Sequence, residues 1–263
     1  MQFNQPITLN GQPIGDGKFP LVCTPLVGHT LHAIRAELAV VLPKKPDLLE
    51  WRVDFFEKIG DTAAVIAAAT AIKKEAGNLP LLFTRRSTIE GGEKIALNEA
   101  GVIALYTAVC ESKTIDLIDY EMANDAAHIA RVRDAARANG ITLVLSFHNF
   151  SNTPVLETLV AKFLDAEQLG ADVAKVAVMP RDLDDVLTLL TATRDASKKL
   201  HIPLISMAMG PLGAVTRLVG GVFGSSLSFA VGASSSAPGQ VPVEDLHTVL
   251  AILQKAMAQR HVL

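Results

Sequence analysis

The chain has 263 residues, of which 49% are hydrophobic and 19% charged, and its formal net charge is −3. This length supplies one large domain with a substantial core, and the mildly acidic balance gives no reason to expect nucleic acid or a membrane as partner. No apolar run reaches transmembrane length, the first residues lack a signal-peptide layout, and two cysteines suit a reducing compartment. We therefore expect a cytoplasmic protein that folds as a single domain over residues 1–263.

The first predicted element is a short hairpin within residues 7–14. Asn10-Gly11 lies there between two short alternating runs, which is the pattern of a two-residue turn between strands. From that point the chain alternates short apolar strands with helical stretches. The eight predicted strands cover residues 21–24, 47–54, 80–84, 114–121, 141–146, 171–180, 202–207 and 227–230.

A helical pattern follows each predicted strand, and sequence signals mark some of the helix ends. Asp61 is the expected N-cap of a helix that ends near Gly77, while Thr153 as N-cap and Pro154 in the first turn open another. One further helix has a predicted buried face at helical spacing, formed by Leu183, Val186, Leu187 and Leu190.

Eight strand–helix pairs predict an α/β fold, a closed parallel (β/α)₈ TIM barrel, with the N-terminal hairpin covering the N-terminal mouth. An open doubly wound sheet is the competing fold. That fold is disfavoured because no Gly-x-Gly-x-x-Gly follows the first strand.

Barrel enzymes place their chemistry at the C-terminal ends of the strands. In this sequence, polar and sulfur-containing side chains collect at those ends. They are Glu50 and Arg52 on the second strand, Arg85, Arg86 and Glu90 past the third, Asp119 and Glu121 on the fourth, His148 past the fifth, Lys175 on the sixth, Met207 on the seventh, Arg217 in the next helix, and Ser236 and Gln240 past the eighth. Each has a structural explanation alone, but their convergence at one end predicts a functional cluster.

Lys175 lies in the middle of an apolar strand, and two interpretations follow. It is either packed along its stem and paired with an acid, or it loses its proton in apolar surroundings and attacks a carbonyl carbon. In the second case a Schiff base would acidify the adjacent C–H bond. His148 would remove that proton and return it to a leaving hydroxyl, with Glu90 holding the imidazole in place. Three cations would disfavour the ammonium and bind an anionic substrate: Arg52, Arg86 and Arg217. The sequence contains no HExxH and no paired cysteine motif, so it predicts a lyase without a metal or cofactor.

Segments spread along nearly the whole chain resemble the type I 3-dehydroquinate dehydratases, the Schiff-base class of the shikimate pathway. They are Leu49-Glu-Trp-Arg-Val-Asp54, Leu82-Phe-Thr-Arg-Arg-Ser87, Glu90-Gly-Gly-Glu93, Ile118-Asp-Tyr-Glu121, Ser146-Phe-His-Asn-Phe150, Lys175-Val-Ala-Val-Met-Pro180, Ser206-Met-Ala208, Arg217-Leu218, Val222-Phe-Gly-Ser225 and Ser236-Ala-Pro-Gly-Gln240.

The resemblance implies that Lys175 is the Schiff-base lysine, His148 the general acid/base and Glu90 its partner. It also implies a substrate-binding set made of Glu50, Arg52, Arg86, Met207, Arg217, Ser236, Gln240 and Thr24. The implied reaction is the syn dehydration of 3-dehydroquinate to 3-dehydroshikimate, in aromatic amino acid (chorismate) biosynthesis or alternatively in quinate breakdown. Members of the family are commonly homodimers, and the implied partner is the small-molecule substrate.

The sequence departs from the family pattern at several positions. Phe147 stands where an asparagine is often found, Asn149 where aspartate is frequent, and Arg85 where an apolar residue is common. Thr24 replaces a serine, and a lysine expected near Met209 is missing. None of these changes removes a proton-transferring group.

Two other functions stay open from the sequence. The first is another Schiff-base barrel lyase, an aldolase or transaldolase, in which Gly232-Ala-Ser-Ser-Ser236 would hold a substrate phosphate. The second is a catalytically silent barrel that binds a hydroxylated carboxylate without needing Lys175.

Overall fold

The computed structural model describes residues 6–16 and 19–258, so the expectation about a signal layout in the first five residues lies outside it. Within the described ranges, no helix is both long and apolar enough to cross a membrane.

An N-terminal hairpin is present, as the sequence predicts. Its strands are β1 (Ile7–Leu9) and β2 (Gln12–Ile14), which pair antiparallel. The turn residues Asn10 and Gly11 have φ of 49° and 85°, the left-handed conformation that a two-residue turn requires. Leu9 and Ile14 pack against apolar side chains at the base of the barrel interior, so the hairpin covers the N-terminal mouth.

Eight parallel strands form the barrel. They are β3 (Leu21–Leu26), β4 (Leu48–Arg52), β5 (Leu81–Thr84), β6 (Leu117–Glu121), β7 (Thr142–Asn149), β8 (Val173–Val178), β9 (Leu204–Ala208) and β10 (Leu227–Phe229). Their order is β10-β3-β4-β5-β6-β7-β8-β9. Leu204 at the start of β9 bridges to Ser225 just before β10, which brings the two edges of the sheet together. The barrel prediction is therefore confirmed.

Each barrel strand is followed by a helix. These are α1 (Leu31–Val41), α2 (Thr62–Ala76), α3 (Glu99–Ser112), α4 (Ala126–Asn139), α5 (Leu156–Gln168), α6 (Leu183–Ser197), α7 (Gly210–Phe223) and α8 (Val243–Ala258). Asp61 caps α2 by accepting from the Ala64 amide at 3.1 Å, and Gly77 follows its last residue, as predicted.

Two helix predictions are wrong in detail. Helix α5 begins after Val155 with no side-chain cap, because the hydroxyl of Thr153 donates instead to the carbonyl of Met179 beyond β8, at 3.3 Å. In α6, Val186 and Leu190 are buried as expected, but two of the four predicted core residues are exposed. They are Leu183 and Leu187, at 64% and 59% exposure.

Alternation along the strands separates side chains that face the helices from side chains that fill the barrel interior, and the interior has an apolar lower half and a polar upper half. Outward-facing rings of the strands, such as Trp51 and Phe83, pack edge to face with each other, and Phe83 packs in the same way with Tyr106 of α3. The inward-facing side chains of the lower half are apolar: Leu48, Leu82, Leu117, Val144 and Val173. One or two inward positions further along these strands the side chains become polar or charged, which places a charged layer over a dry base.

Three aspartates clamp the strands together at the base. Asp47, Asp116 and Asp172 each precede a strand and accept a backbone N–H from the strand before it. The donors are the amides of Val22, Leu81 and Leu143, at 2.8, 2.7 and 2.8 Å.

Candidate active site

A cavity opens at the carboxyl ends of the barrel strands. Ten of the eleven predicted site residues line it: Glu50, Arg52, Arg86, Glu90, His148, Lys175, Met207, Arg217, Ser236 and Gln240. The convergence predicted from the sequence is therefore present. The cavity is also lined by residues to which the sequence had assigned no role: Gly91, Phe150, Ala177, Met209, Phe229 and Ala237.

Thr24 is the predicted site residue that does not line this cavity. Its neighbour Cys23 packs in the barrel interior, so alternation along β3 turns Thr24 outward, toward Val41 of α1 and Gly232. Its hydroxyl is buried with no hydrogen-bond partner among the described residues. The structure thus places Thr24 outside this cavity, and its substrate-binding role stays a prediction.

His148 lies within β7 and not past its end, which corrects the sequence prediction. The strand continues to Asn149 because residues 144–149 all pair with β8, and His148 is opposite Ala177. Ser146 is opposite Lys175 in the same register. His148 therefore projects inward one layer above Lys175 from the neighbouring strand.

Lys175 is buried and paired. Its Nζ donates to Asp119 Oδ2 at 2.8 Å, lies 3.8 Å from Glu50 Oε1, and stands 4.5 Å from the ring centre of Phe229. Of the two interpretations that the sequence left open, the structure shows the first, a lysine paired with an acid. Burial by itself would raise the pKa of Asp119, but Arg86 and Lys175 hold it well below its usual range, so this partner is a carboxylate.

His148 and Glu90 form an acid–base pair across the cavity wall. His148 Nδ1 and Glu90 Oε2 are 2.8 Å apart. Burial lowers the pKa of His148 well below its usual value, with Arg86 and Lys175 adding to the effect. Burial, together with the nearby Glu121, raises the pKa of Glu90 to about 8. At neutral pH the imidazole is therefore neutral and Glu90 is protonated. The pair holds one proton more than a neutral imidazole facing a carboxylate would.

Arg86 connects the acids of the charged layer. Its guanidinium contacts Asp119 at 2.8 Å, Glu121 at 3.1 Å and Glu90 at 3.5 Å, and it donates to the hydroxyl of Ser146 at 2.9 Å. Burial alone would lower the pKa of Arg86, but these acids raise it above its usual value. Arg86 is thus a fixed cation whose donors are largely occupied by the protein.

Arg217 is placed differently. It is 2% exposed, and its guanidinium meets only neutral groups: the sulfur of Met207 at 3.5 Å and the carbonyls of Phe229 and Pro238 at 3.4 and 3.2 Å. Its Nε has no partner, and no ion pair to Arg217 occurs in the described part of the chain. Burial lowers its pKa to about 10. A buried cation without a carboxylate is suited to an anionic ligand.

The loop after β10 forms one wall of the cavity. Gln240 Oε1 accepts from the Ser236 amide at 3.1 Å and from the Ser235 hydroxyl at 2.9 Å, and Arg52 Nη1 donates to the Ser236 carbonyl at 3.3 Å. These polar groups already have hydrogen-bond partners within the protein, so they are not arranged to bind a phosphate.

Sequence reasoning assigned nothing to Asp54, and it placed Asp119 and Glu121 in the predicted cluster without giving either a role; all three are buried. The signal was available for two of them: in β6 every second residue after Leu117 is acidic, and Leu117 belongs to the barrel interior. Period-2 alternation alone therefore places Asp119 and Glu121 on the inner face.

The departures from the family pattern lie mostly outside the cavity. Phe147 faces outward, with Lys162 of α5 5.2 Å from its ring centre. Asn149 accepts two backbone N–H groups in the turn after β7, and Arg85 lies 3.8 Å from Glu99. Met209 is the exception, since it lines the cavity.

The fold and the site together define a (β/α)₈-barrel enzyme in which a buried amine, a histidine–glutamate pair and an unpaired arginine face one cavity. Within the described residues no cluster of histidine, cysteine or acidic side chains has the arrangement of a metal site.

Comparisons with known proteins identify the family. Residues 22–257 match the family model described as Type I 3-dehydroquinase. A 3-dehydroquinate dehydratase of Albidiferax ferrireducens is 73% identical over 257 residues, covering 98% of this chain and 97% of the relative. The crystal structure of 3-dehydroquinate dehydratase from Geobacillus kaustophilus matches with a TM-score of 0.93 at 50% identity, over 95% of this chain and 97% of that one. A type I enzyme from Clostridium difficile, solved with covalent modified comenic acid, has a TM-score of 0.92 at 34% identity over 96% and 99%.

The chain belongs to the type I 3-dehydroquinase family and is a hydro-lyase of that family. This assignment decides against both the aldolase and the silent-barrel alternatives.

Proposed function

We propose that the chain converts 3-dehydroquinate to 3-dehydroshikimate by syn elimination of water through an imine on Lys175, in aromatic amino acid (chorismate) biosynthesis. The observation that carries this proposal is the placement of Lys175 on the same cavity as the His148–Glu90 pair, one inward layer below it. The relatives named 3-dehydroquinate dehydratase support the substrate, and the Clostridium difficile relative with its covalent modified comenic acid supports a covalent route.

The first step is formation of the imine. The unpaired guanidinium of Arg217 binds the substrate carboxylate and brings the ketone over Lys175. The ammonium of Lys175 must release one proton before its lone pair can attack, and the carboxylates at 2.8 and 3.8 Å, Asp119 and Glu50, are the nearest acceptors. His148 then donates its Nε2 proton to the hydroxyl of the carbinolamine, which leaves as water as the C=N bond forms. The proton on Glu90 moves to His148 Nδ1 across their 2.8 Å contact.

The second step is the elimination. The iminium draws electrons from the neighbouring carbon, so His148 Nε2, now free, takes the adjacent C–H proton. The C–O bond of the hydroxyl on the next carbon breaks, and the same proton passes to that oxygen, which leaves as water. A syn course follows because one imidazole serves both atoms from one face. A water molecule then hydrolyses the imine, regenerates Lys175 and releases the enone.

Reduction with borohydride tests this route. Added with 3-dehydroquinate, it should trap an adduct on Lys175 that a mass spectrum of the digested protein locates, and activity should be lost. Lys175→Ala should give neither adduct nor turnover. His148→Ala should still give adduct, more slowly because water must replace His148 as proton donor to the carbinolamine, but no turnover, because the elimination lacks its base. Lys162→Ala is the matched control, since that lysine lies outside the cavity. Turnover without any trapped adduct would refute the imine.

We also propose that the protein is a homodimer. The support is an apolar outer face on α6 and α7, neighbouring helices that carry exposed Leu183, Leu187, Leu212, Val215 and Val222. An exposed apolar surface of this kind marks an interaction site. A cytoplasmic location remains our prediction, supported by Cys23 and Cys110, which are both free and buried.

A further inference from the structure

Asp54 follows β4 in a 3₁₀ turn, Val53–Phe55, and its side chain is fully buried. Its two carboxylate oxygens accept four hydrogen bonds. Oδ1 accepts from Arg52 Nε at 2.8 Å and from the Arg86 amide at 3.2 Å. Oδ2 accepts from Arg52 Nη2 at 2.7 Å and from the Glu93 amide at 3.1 Å. Each oxygen thus accepts one hydrogen bond from the guanidinium of Arg52 and one from a backbone amide of the loop after β5.

The two bonds to Arg52 fix the direction of its guanidinium. A bidentate carboxylate–guanidinium pair is planar, so it occupies Nε and Nη2 and leaves Nη1 facing away. Nη1 in turn reaches the carbonyl of Ser236 in the loop after β10, at 3.3 Å, and Phe55 lies against the guanidinium with 5.0 Å between Cζ and the ring centre. Arg52 therefore meets the cavity in one orientation only.

The two backbone bonds fix the loop that carries Glu90. Arg86 and Glu93 stand at its two ends, and both are tied to the one carboxylate. Within the loop, the Gly92 amide donates to the Ser87 carbonyl at 2.7 Å, which closes a tight turn around Glu90. The position of Glu90, and with it the contact to the catalytic imidazole, depends on where Asp54 holds these ends.

We propose that Asp54, which does not reach the cavity, is a positioning residue that holds Arg52 and the Glu90 loop in a single geometry and thereby sets the affinity for substrate. The proposal rests on the function proposed above and on the substrate-binding role that the family resemblance implies for Arg52, which lines the cavity. In this role one buried carboxylate aligns two walls of the site: Arg52 at the end of β4 and the Glu90 loop after β5.

Asp54→Asn is the informative variant, because the amide keeps the shape and replaces one oxygen by a donor. Whichever oxygen is replaced, the new NH₂ group faces one nitrogen of Arg52 and one loop amide, so one bond of each kind is lost. We expect KM for 3-dehydroquinate to rise about tenfold, the change that follows from losing one charge-assisted hydrogen bond. We expect a smaller fall in kcat, since His148 itself is unchanged.

A double-mutant cycle with Arg52→Ala shows whether Asp54 acts through Arg52. In that background the Asp54→Asn effect on KM should shrink to less than about twofold, because the guanidinium to be oriented is absent. Asp47→Asn is the matched control: it alters a half-buried aspartate at the base of the barrel, which accepts from the Val22 amide, and should leave KM unchanged.

Borohydride trapping separates this proposal from the proposed function. Asp54→Asn should still yield the adduct on Lys175 at saturating substrate; if the wild-type protein gives none, the imine mechanism fails and not the role of Asp54. If wild type traps, then an unchanged KM in Asp54→Asn, or the same tenfold rise in the Arg52→Ala background, overturns the positioning role. Should Asp54→Asn not fold, Arg52→Ala supplied with methylguanidinium decides. If methylguanidinium restores KM, the result supports the role of Asp54 in binding and orienting a guanidinium at this place. If KM does not recover, the positioning role of Asp54 is overturned.

Discussion

The proton shared by Glu90 and His148 predicts how stability depends on pH. Burial raises the pKa of Glu90 to about 8 in the folded protein, against roughly 4.3 in an unfolded chain. Between these values the folded state holds a proton that the unfolded state has released, so this group stabilises the fold fully at low pH and its contribution is lost as pH rises to about 8.

His148 has the opposite sign. Its pKa in the folded protein lies well below the usual value, so below about 6.5 the unfolded chain takes up a proton that the folded state does not. Its contribution is therefore lost as pH falls below that point. Below about 6.5 the two effects cancel, since each state then holds one extra proton; above it only the effect of Glu90 remains.

The magnitude follows from the width of that window. About 1.5 pH units at roughly 1.36 kcal/mol per unit gives a loss of about 2 kcal/mol in the free energy of unfolding between pH 6.5 and 8. Glu90→Gln cannot ionise, so it should lack this loss, while every other titrating group contributes equally to both proteins.

Urea unfolding of wild type and Glu90→Gln, at one protein concentration and at several pH values from 6 to 8.5, measures the difference directly. The gap between the two free energies should change by about 1.36 kcal/mol per pH unit up to about pH 8, including below about 6.5, because the effect of His148 is common to both proteins; the wild-type value itself stays level below about 6.5. Parallel curves throughout would show that Glu90 is already ionised at neutral pH, and the proton inventory described above would be wrong.

Three further outcomes are expected. Gly92→Ala should reduce kcat more than tenfold, because a Cβ there overlaps a backbone oxygen of the Glu90 loop, whereas Gly60→Ala, where a Cβ meets nothing, should match wild type in a steady-state assay. Asp172→Ala should lower the free energy of urea unfolding by about 1–3 kcal/mol, since the amide of the buried Leu143 loses its acceptor, and equal stability would disprove the strand clamp. Leu187→Asp should shift the protein toward monomer in sedimentation equilibrium; an unaltered mass would place the dimer contact elsewhere.

Much of the site could be predicted from the sequence because barrel topology is regular. Short apolar strands followed by helices fix a closed parallel sheet, and polar residues near strand ends must then share one rim. This reasoning located Lys175, His148, Glu90 and Arg217. It went wrong at the end of β7, where pairing with β8 extends the strand past His148. Thr24, which only the family resemblance had put in the binding set, lies outside the cavity because the neighbouring Cys23 takes the inward position.

By itself, the sequence determined which groups meet: the amine, the imidazole, the acids and the arginines are set on one rim by strand periodicity, a local property of the chain. Only the tertiary structure decided their charge states and partners. Lys175 forms an ion pair because Asp119 comes close to it from another strand. Glu90 keeps a proton because burial and the nearby Glu121 raise its pKa. Arg217 has no acidic partner among the described residues. These outcomes depend on distances and solvent exclusion between residues far apart in the chain, and no local pattern records them.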